Sequence, residues 1–132
     1  MVRRETLRKN FAFLEDRVLG ILLYGSRVHE SITSRSDNDI CIVIGRRDPS
    51  LMQEIYEAVW RTIDVRGLNL DVKVFEELPL HIQVSIIHHH ELLLSKNTSD
   101  LYEYFYMYRK RWKDQKHRQK LSKEEKQRLL RK

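Results

Sequence analysis

Two aspartates one residue apart, Asp37 and Asp39, stand at the head of an apolar run, ICIVI (40–44). Carboxylates this close repel each other; a polar turn or a bound cation resolves the conflict. On an extended chain, positions 37 and 39 point to the same side. A third carboxylate, Asp71, lies within LNLDVKVF (68–75). Strand alternation there puts Leu68, Leu70, Val72 and Val74 on one face, and Asn69, Asp71, Lys73 and Phe75 on the other. If the two segments are neighbouring strands, three carboxylates converge on one face. Oxygen ligands of that kind suit Mg²⁺, which keeps waters and binds nucleotide phosphates. Two such ions can activate an attacking hydroxyl and stabilise a leaving pyrophosphate.

Gly25-Ser26 supplies the complementary end of such a site. It closes an apolar run and precedes a polar segment that should open as a helix. Glycine permits close backbone approach, and a helix N-terminus presents free N–H groups to phosphate, with the Ser26 hydroxyl beside them. Arg27, Arg35 and Lys73 are candidate partners of a triphosphate. Each of these residues also has an ordinary reading. SDND (36–39) is turn chemistry, Asp71 and Lys73 suit a solvent-facing strand, Ser26 suits a helix cap, and arginines are commonly surface charges.

The elements that must position these residues follow from periodicity. Leu7, Phe11, Leu14 and Val18 predict a helix over 3–17. Residues 21–24 read as a buried strand, 26–36 as a short helix and loop, and 40–44 as a second buried strand. Asp48-Pro49 starts a helix whose stripe is Met52, Ile55, Val59 and Ile63, with Gly67 as its C-terminal cap. After the alternating strand at 68–75, a helix is expected from Pro79 through His90. Leu92–Leu94 fits either a short strand or the end of that helix. A last helix starts near Asn97 and buries Leu101, Phe105, Tyr108 and Trp112. The expected fold is α/β or α+β, a small mixed sheet flanked by helices. Three successive histidines, His88–His90, diverge on a helix and so cannot readily share one metal ion.

The chain has 132 residues, the size of one domain that can bury a core unaided. Its net charge of +6 hides an asymmetry: residues 109–132 carry 12 Lys/Arg and 3 Asp/Glu, whereas the remainder is mildly acidic. A domain over 1–112 with a basic extension over 113–132, helical or disordered, is expected. The extension could grip nucleic acid, but charge alone speaks for that, and a solvated tail is the favoured reading. The single cysteine, Cys41, sits in an apolar run, which excludes an internal disulfide and reads as core. With no leader-like start and no membrane-length apolar stretch, a cytoplasmic protein is expected.

Gly25-Ser26, ten residues, then Asp37-Asn38-Asp39, with Asp71 on a later strand, resembles the signature of the polymerase-β-type nucleotidyltransferases. It is most similar to their minimal nucleotidyltransferase (MNT) group, and HHHELLLSKNTSDLYEYFYMY resembles that group's C-terminal strand and helix. The chain departs from the pattern at His29-Glu30, where members carry Arg-Gly, and at Asn38, usually apolar. The resemblance implies ATP as substrate and two Mg²⁺ ions, with Mn²⁺ as a substitute, on Asp37, Asp39 and Asp71. It implies transfer of AMP to a hydroxyl, with Asp71 as the proton acceptor. The implied acceptor is a tyrosine of a HEPN-type toxin, for which this chain would be the antitoxin. Two competing expectations are a noncatalytic protein-binding module built on the same fold, and nucleotide transfer to RNA.

Overall fold

Leu7, Phe11, Leu14 and Val18 are all buried, as their spacing predicts. The computed structural model describes residues 4–25 and 38–130, with side chains through residue 120. In it the first helix, α1 (Arg4–Phe11), tightens into a 3-10 turn at Ala12–Leu14 and stops short of residue 17. Such tightening is common at helix ends and here still delivers Leu14 to the core.

Strand β1 (Gly20–Tyr24) pairs antiparallel with β2 (Asn38–Val43). Helix α2 (Pro49–Thr62) starts as predicted, with the Asp48 carboxylate accepting from the Leu51 N–H and Pro49 in the first turn. It ends five residues before Gly67, which is therefore not its cap. Ile63 leaves the helix in extended conformation and is buried, and Gly67 instead donates to Asp64 within the turn that follows. Helix α2 carries the chain over to β3 (Leu70–Val74), which pairs parallel with β2. After a 3-10 turn at Phe75–Glu77 come α3 (Leu80–His88), β4 (His90–Leu94) and α4 (Thr98–Leu130).

The segment at 90–94 is therefore a strand, and the helix expected through His90 ends at His88. The sheet order is β3-β2-β1-β4, mixed in direction, so β1 and β2 lie in the middle. Both faces of these central strands are covered, which is why they read as unbroken apolar runs rather than alternating ones. On the first face, Ile21, Leu23, Ile40 and Ile42 pack with α1 and α2. On the second, Leu22, Cys41 and Val43 pack with α3 and α4 through Ile86, Ile87, Leu101 and Phe105.

Phe75, expected on the polar face of its strand, is wholly buried in this second cluster. Its ring lies 5.5 Å from that of Phe105 and meets Tyr108 edge-on at 5.0 Å. The alternation is real, but the face holding Asp71 and Lys73 is roofed at the Phe75 end. The next residue, Glu76, is buried and fully engaged. Its carboxylate accepts from the Ile44 and Gly45 N–H groups at 3.1 and 3.0 Å and from the Tyr104 hydroxyl at 2.7 Å. Tyr104 in turn meets the Tyr108 hydroxyl at 2.9 Å. This ties the exit of β2 to α4. Beyond Trp112, α4 continues as helix with its described side chains exposed, and Lys116 lies over the Trp112 ring.

Candidate active site

One row of residues crosses all four strands on the second face of the sheet. Register places Tyr24 opposite both His90 and Asp39, and Asp39 opposite Asp71. The next row holds Leu22, Cys41 and Lys73. Neighbouring strands run about 5 Å apart, so Asp39 and Asp71 project side by side from adjacent backbones. Helices α3 and α4 cover the Phe75 end of this face. At the other end Tyr24, Asp39 and Asp71 keep partial exposure and Lys73 is exposed. The predicted convergence thus holds for Asp39 and Asp71, with Lys73 next to Asp71. Asp37, Ser26, Arg27, Arg35, His29 and Glu30 lie outside the described residues.

Gly25 ends β1 beside this pair, and two constraints select glycine there. Its φ of +81° lies in the left-handed region. A Cβ built on it would stand 2.2 Å from Asp39 Oδ2, so the carboxylate fills the place of a side chain. Gly25→Ala should therefore displace the Asp39 carboxylate and strain the turn by about 1–2 kcal/mol. The expected outcome is at least a tenfold loss of nucleotidyl transfer with a native circular dichroism spectrum. Wild-type turnover would remove Gly25 from the site.

Tyr24 is a neighbour that sequence reasoning passed over. Its phenol is pushed well above the usual value of 10, chiefly by burial, then by Cys41 and the nearby Asp39 and Asp71. It stays neutral at physiological pH and cannot act as a titrating base. Burial likewise pushes the Cys41 thiol up, with a smaller contribution from Glu76. Cys41 is thus a core residue and a poor nucleophile, as expected.

The Asn38 departure has a local explanation. Its side chain lies in the core and donates to the Leu68 carbonyl at 3.3 Å, and its backbone N–H donates to Asn69 O at 3.0 Å. Asn69 itself has a positive φ of 54°. Asn38 therefore fastens the turn entering β3 and points away from the carboxylate face. The three histidines take separate roles. His88 ends α3, His89 caps it, and His90 Nδ1–H donates to the carbonyls of Ile86 and Ile87 at 2.9 and 3.0 Å. Among the described residues no group of three or more His, Cys, Asp or Glu side chains is placed to hold a metal ion. The described part of the predicted set, Asp39 and Asp71, is a pair of oxygen donors of the kind Mg²⁺ prefers.

The mixed sheet that sets Asp39 beside Asp71 behind a glycine turn has the fold of the polymerase-β-type nucleotidyltransferases. The chain belongs to that family: the model described as "Polymerase beta, Nucleotidyltransferase" matches residues 6–99. Within it, the chain is 39% identical over 102 residues to "Putative protein adenylyltransferase MJ1547" of Methanocaldococcus jannaschii, spanning 77% of this chain and 75% of that one. Solved structures share the fold at low identity. A toxin–antitoxin complex with AMP-PNP matches at TM-score 0.63 and 15% identity, covering 93% of this chain and 98% of that chain. The complex of tri-AMPylated Shewanella oneidensis HEPN toxin with MNT antitoxin matches at TM-score 0.61 and 14% identity, covering 92% and 93%. The resemblance to polymerase-β-type nucleotidyltransferases thus holds at the level of family, and that to the MNT antitoxins at the level of fold. No helix among the described residues is long and apolar enough to cross a membrane.

Proposed function

We propose that the chain is a metal-dependent protein adenylyltransferase that moves AMP from ATP to a tyrosine hydroxyl of a HEPN-type toxin and thereby acts as its antitoxin. The observation that carries this reading is the Asp39–Asp71 pair, with Gly25 shaped around the Asp39 carboxylate. The M. jannaschii relative supports protein as acceptor, and the AMP-PNP and AMPylated-toxin complexes of the structural neighbours support ATP and a HEPN partner.

Asp37, Asp39 and Asp71 would hold Mg²⁺, two ions in all, with Mn²⁺ as a substitute. Bound there, the metal would neutralise the clustered carboxylates and polarise the α-phosphate. Gly25 and Ser26 would seat the triphosphate, with Arg27, Arg35 and Lys73 as its cationic contacts. Asp71, at the outer strand, accepts the proton of the attacking hydroxyl. The hydroxyl oxygen bonds to the α-phosphorus in line, and the bond to pyrophosphate breaks.

The test is label transfer to a HEPN-type protein co-expressed with the chain. Label from [α-³²P]ATP should appear on the partner and vanish with EDTA, then return with Mg²⁺. Label from [γ-³²P]ATP should not appear. Transfer of γ-label, or α-label transfer indifferent to EDTA, would contradict the reading.

A further inference from the structure

Trp60, in the last turn of α2, is 58% exposed, although a tryptophan gains more than most residues from burial. Its indole is a wall shared by two adjoining cavities. The first, about 580 Å³, has an apolar floor of Pro49, Met52, Tyr56 and Trp60, with Glu57 and Glu77 as its charged lining residues. The second, about 470 Å³, runs from Tyr56 and Trp60 along β3 to Asp71 and Lys73. The apolar groove with its acidic walls therefore joins, at Tyr56 and Trp60, a more polar channel along the β3 edge that carries Arg66 and Lys73 and reaches one of the two site carboxylates, Asp71.

The walls are held in place. Tyr56 donates its hydroxyl hydrogen to Glu77 and accepts from the Val74 N–H at 2.8 Å. Arg61 Nε donates to the Glu57 backbone carbonyl. Strand β3 is the sheet edge, yet its Leu70 N–H donates to Val65 O at 2.9 Å, and Val74 is taken by Tyr56. With both ends of that edge occupied, a long added strand is disfavoured, and a ligand must enter by its side chains.

We propose that this surface docks the acceptor: an extended protein segment whose hydroxyl side chain reaches Asp71. An apolar side chain of that segment lies on Met52, Tyr56 and Trp60, and a neighbouring lysine or arginine faces Glu57 and Glu77. The proposal rests on the transfer reading above and adds the acceptor's place and chemistry. The two cavities share Tyr56 and Trp60 and so run on to Asp71, and the acidic lining of the first cavity selects this occupant for it. An exposed aromatic at the centre of an apolar groove is the usual anchor of such contacts.

The test uses the full chain carrying Trp112→Phe, which leaves Trp60 as the only indole. The probes are two acetylated hexapeptides, each with one tyrosine, flanked in one by leucine and lysine and in the other by serine and glutamate. The leucine–lysine peptide should quench Trp60 fluorescence at concentrations roughly tenfold lower than the other. In the otherwise wild-type chain, Trp60→Ala should raise the KM for this peptide about tenfold while ATP affinity by calorimetry stays within twofold. Glu57→Lys should erase the preference between peptides. Equal quenching by both peptides, no quenching, or an unchanged peptide KM in Trp60→Ala overturns the docking surface. Selective quenching without AMP transfer to either peptide supports the surface and counts against the transfer reading alone.

Discussion

Asp39→Asn should abolish transfer of AMP, by at least about 10³-fold, and leave the protein folded. Loss of this size is expected when a charged metal ligand becomes a neutral amide that cannot balance the cation. The fold half of the expectation comes from shape and place: the amide has the size of the carboxylate, and position 39 is partly exposed at the open end of its face. Activity that falls while the fold holds marks a residue kept for chemistry. Label transfer from ATP and thermal melts without metal check the two halves. Undiminished transfer by the variant would remove Asp39 from the reaction.

Glu76→Ala should be the most destabilising single change described for this protein, by about 3 kcal/mol, lowering Tm by roughly 10 °C. Three donors converge on its carboxylate: the N–H groups of Ile44 and Gly45 and the Tyr104 hydroxyl. Truncation orphans all three at the junction of β2, β3 and α4. Glu76→Gln should cost less, since one oxygen remains, but its amide would turn a donor toward an N–H. Burial raises the Glu76 pKa above its ordinary 4.5, and the bonds from Tyr104, Ile44 and Gly45 oppose that shift without cancelling it. A carboxyl with a raised folded-state pKa holds its proton longer in the folded chain. Its stabilising contribution is therefore full below the ordinary value and declines as pH rises through the folded value. The stability of wild type relative to Glu76→Gln should fall from about pH 4.5 upward and then level off. Chemical denaturation across that range measures it; a difference that grows with pH would mean the hydrogen bonds outweigh burial.

The placement of Asp39, Asp71 and Lys73 on one face was legible in the sequence because it is written in short-range periods. A two-residue alternation put Asp71 and Lys73 together, and the ten-residue spacing between Gly25-Ser26 and Asp37 carried the family resemblance. The pairing of Asp39 with Asp71 needed β2 and β3 to be neighbours, and the helix between them made a parallel crossover the natural connection. Phe75 was misplaced because one strand face changes surroundings along its length, open at Asp71 and roofed by α4 four residues on. Glu76 gave no signal: beside Glu77 it reads as a surface pair, and its burial depends on a 3-10 turn and on tyrosines about 30 residues away. The His90 strand was obscured because α3 ends in the middle of three identical residues. Trp60 falls outside the apolar stripe of α2, so its place at the edge of β3 appears only once that strand is set beside the helix.

The sheet order also shapes how the chain is made. Strand β1 has β2 on one side and β4 on the other, and β4 lies beyond residues 25–89 in the chain. A ribosome adding about 5–20 residues per second leaves the second edge of β1 without its partner for several seconds. That edge belongs to GILLY, one of the most apolar strands in the protein. When β4 emerges, Arg8 Nε donates to Leu93 O and the Ser95 hydroxyl to Leu19 O, fastening the end of the pairing where β1 begins. Until then the nascent protein offers other chains an open apolar strand edge.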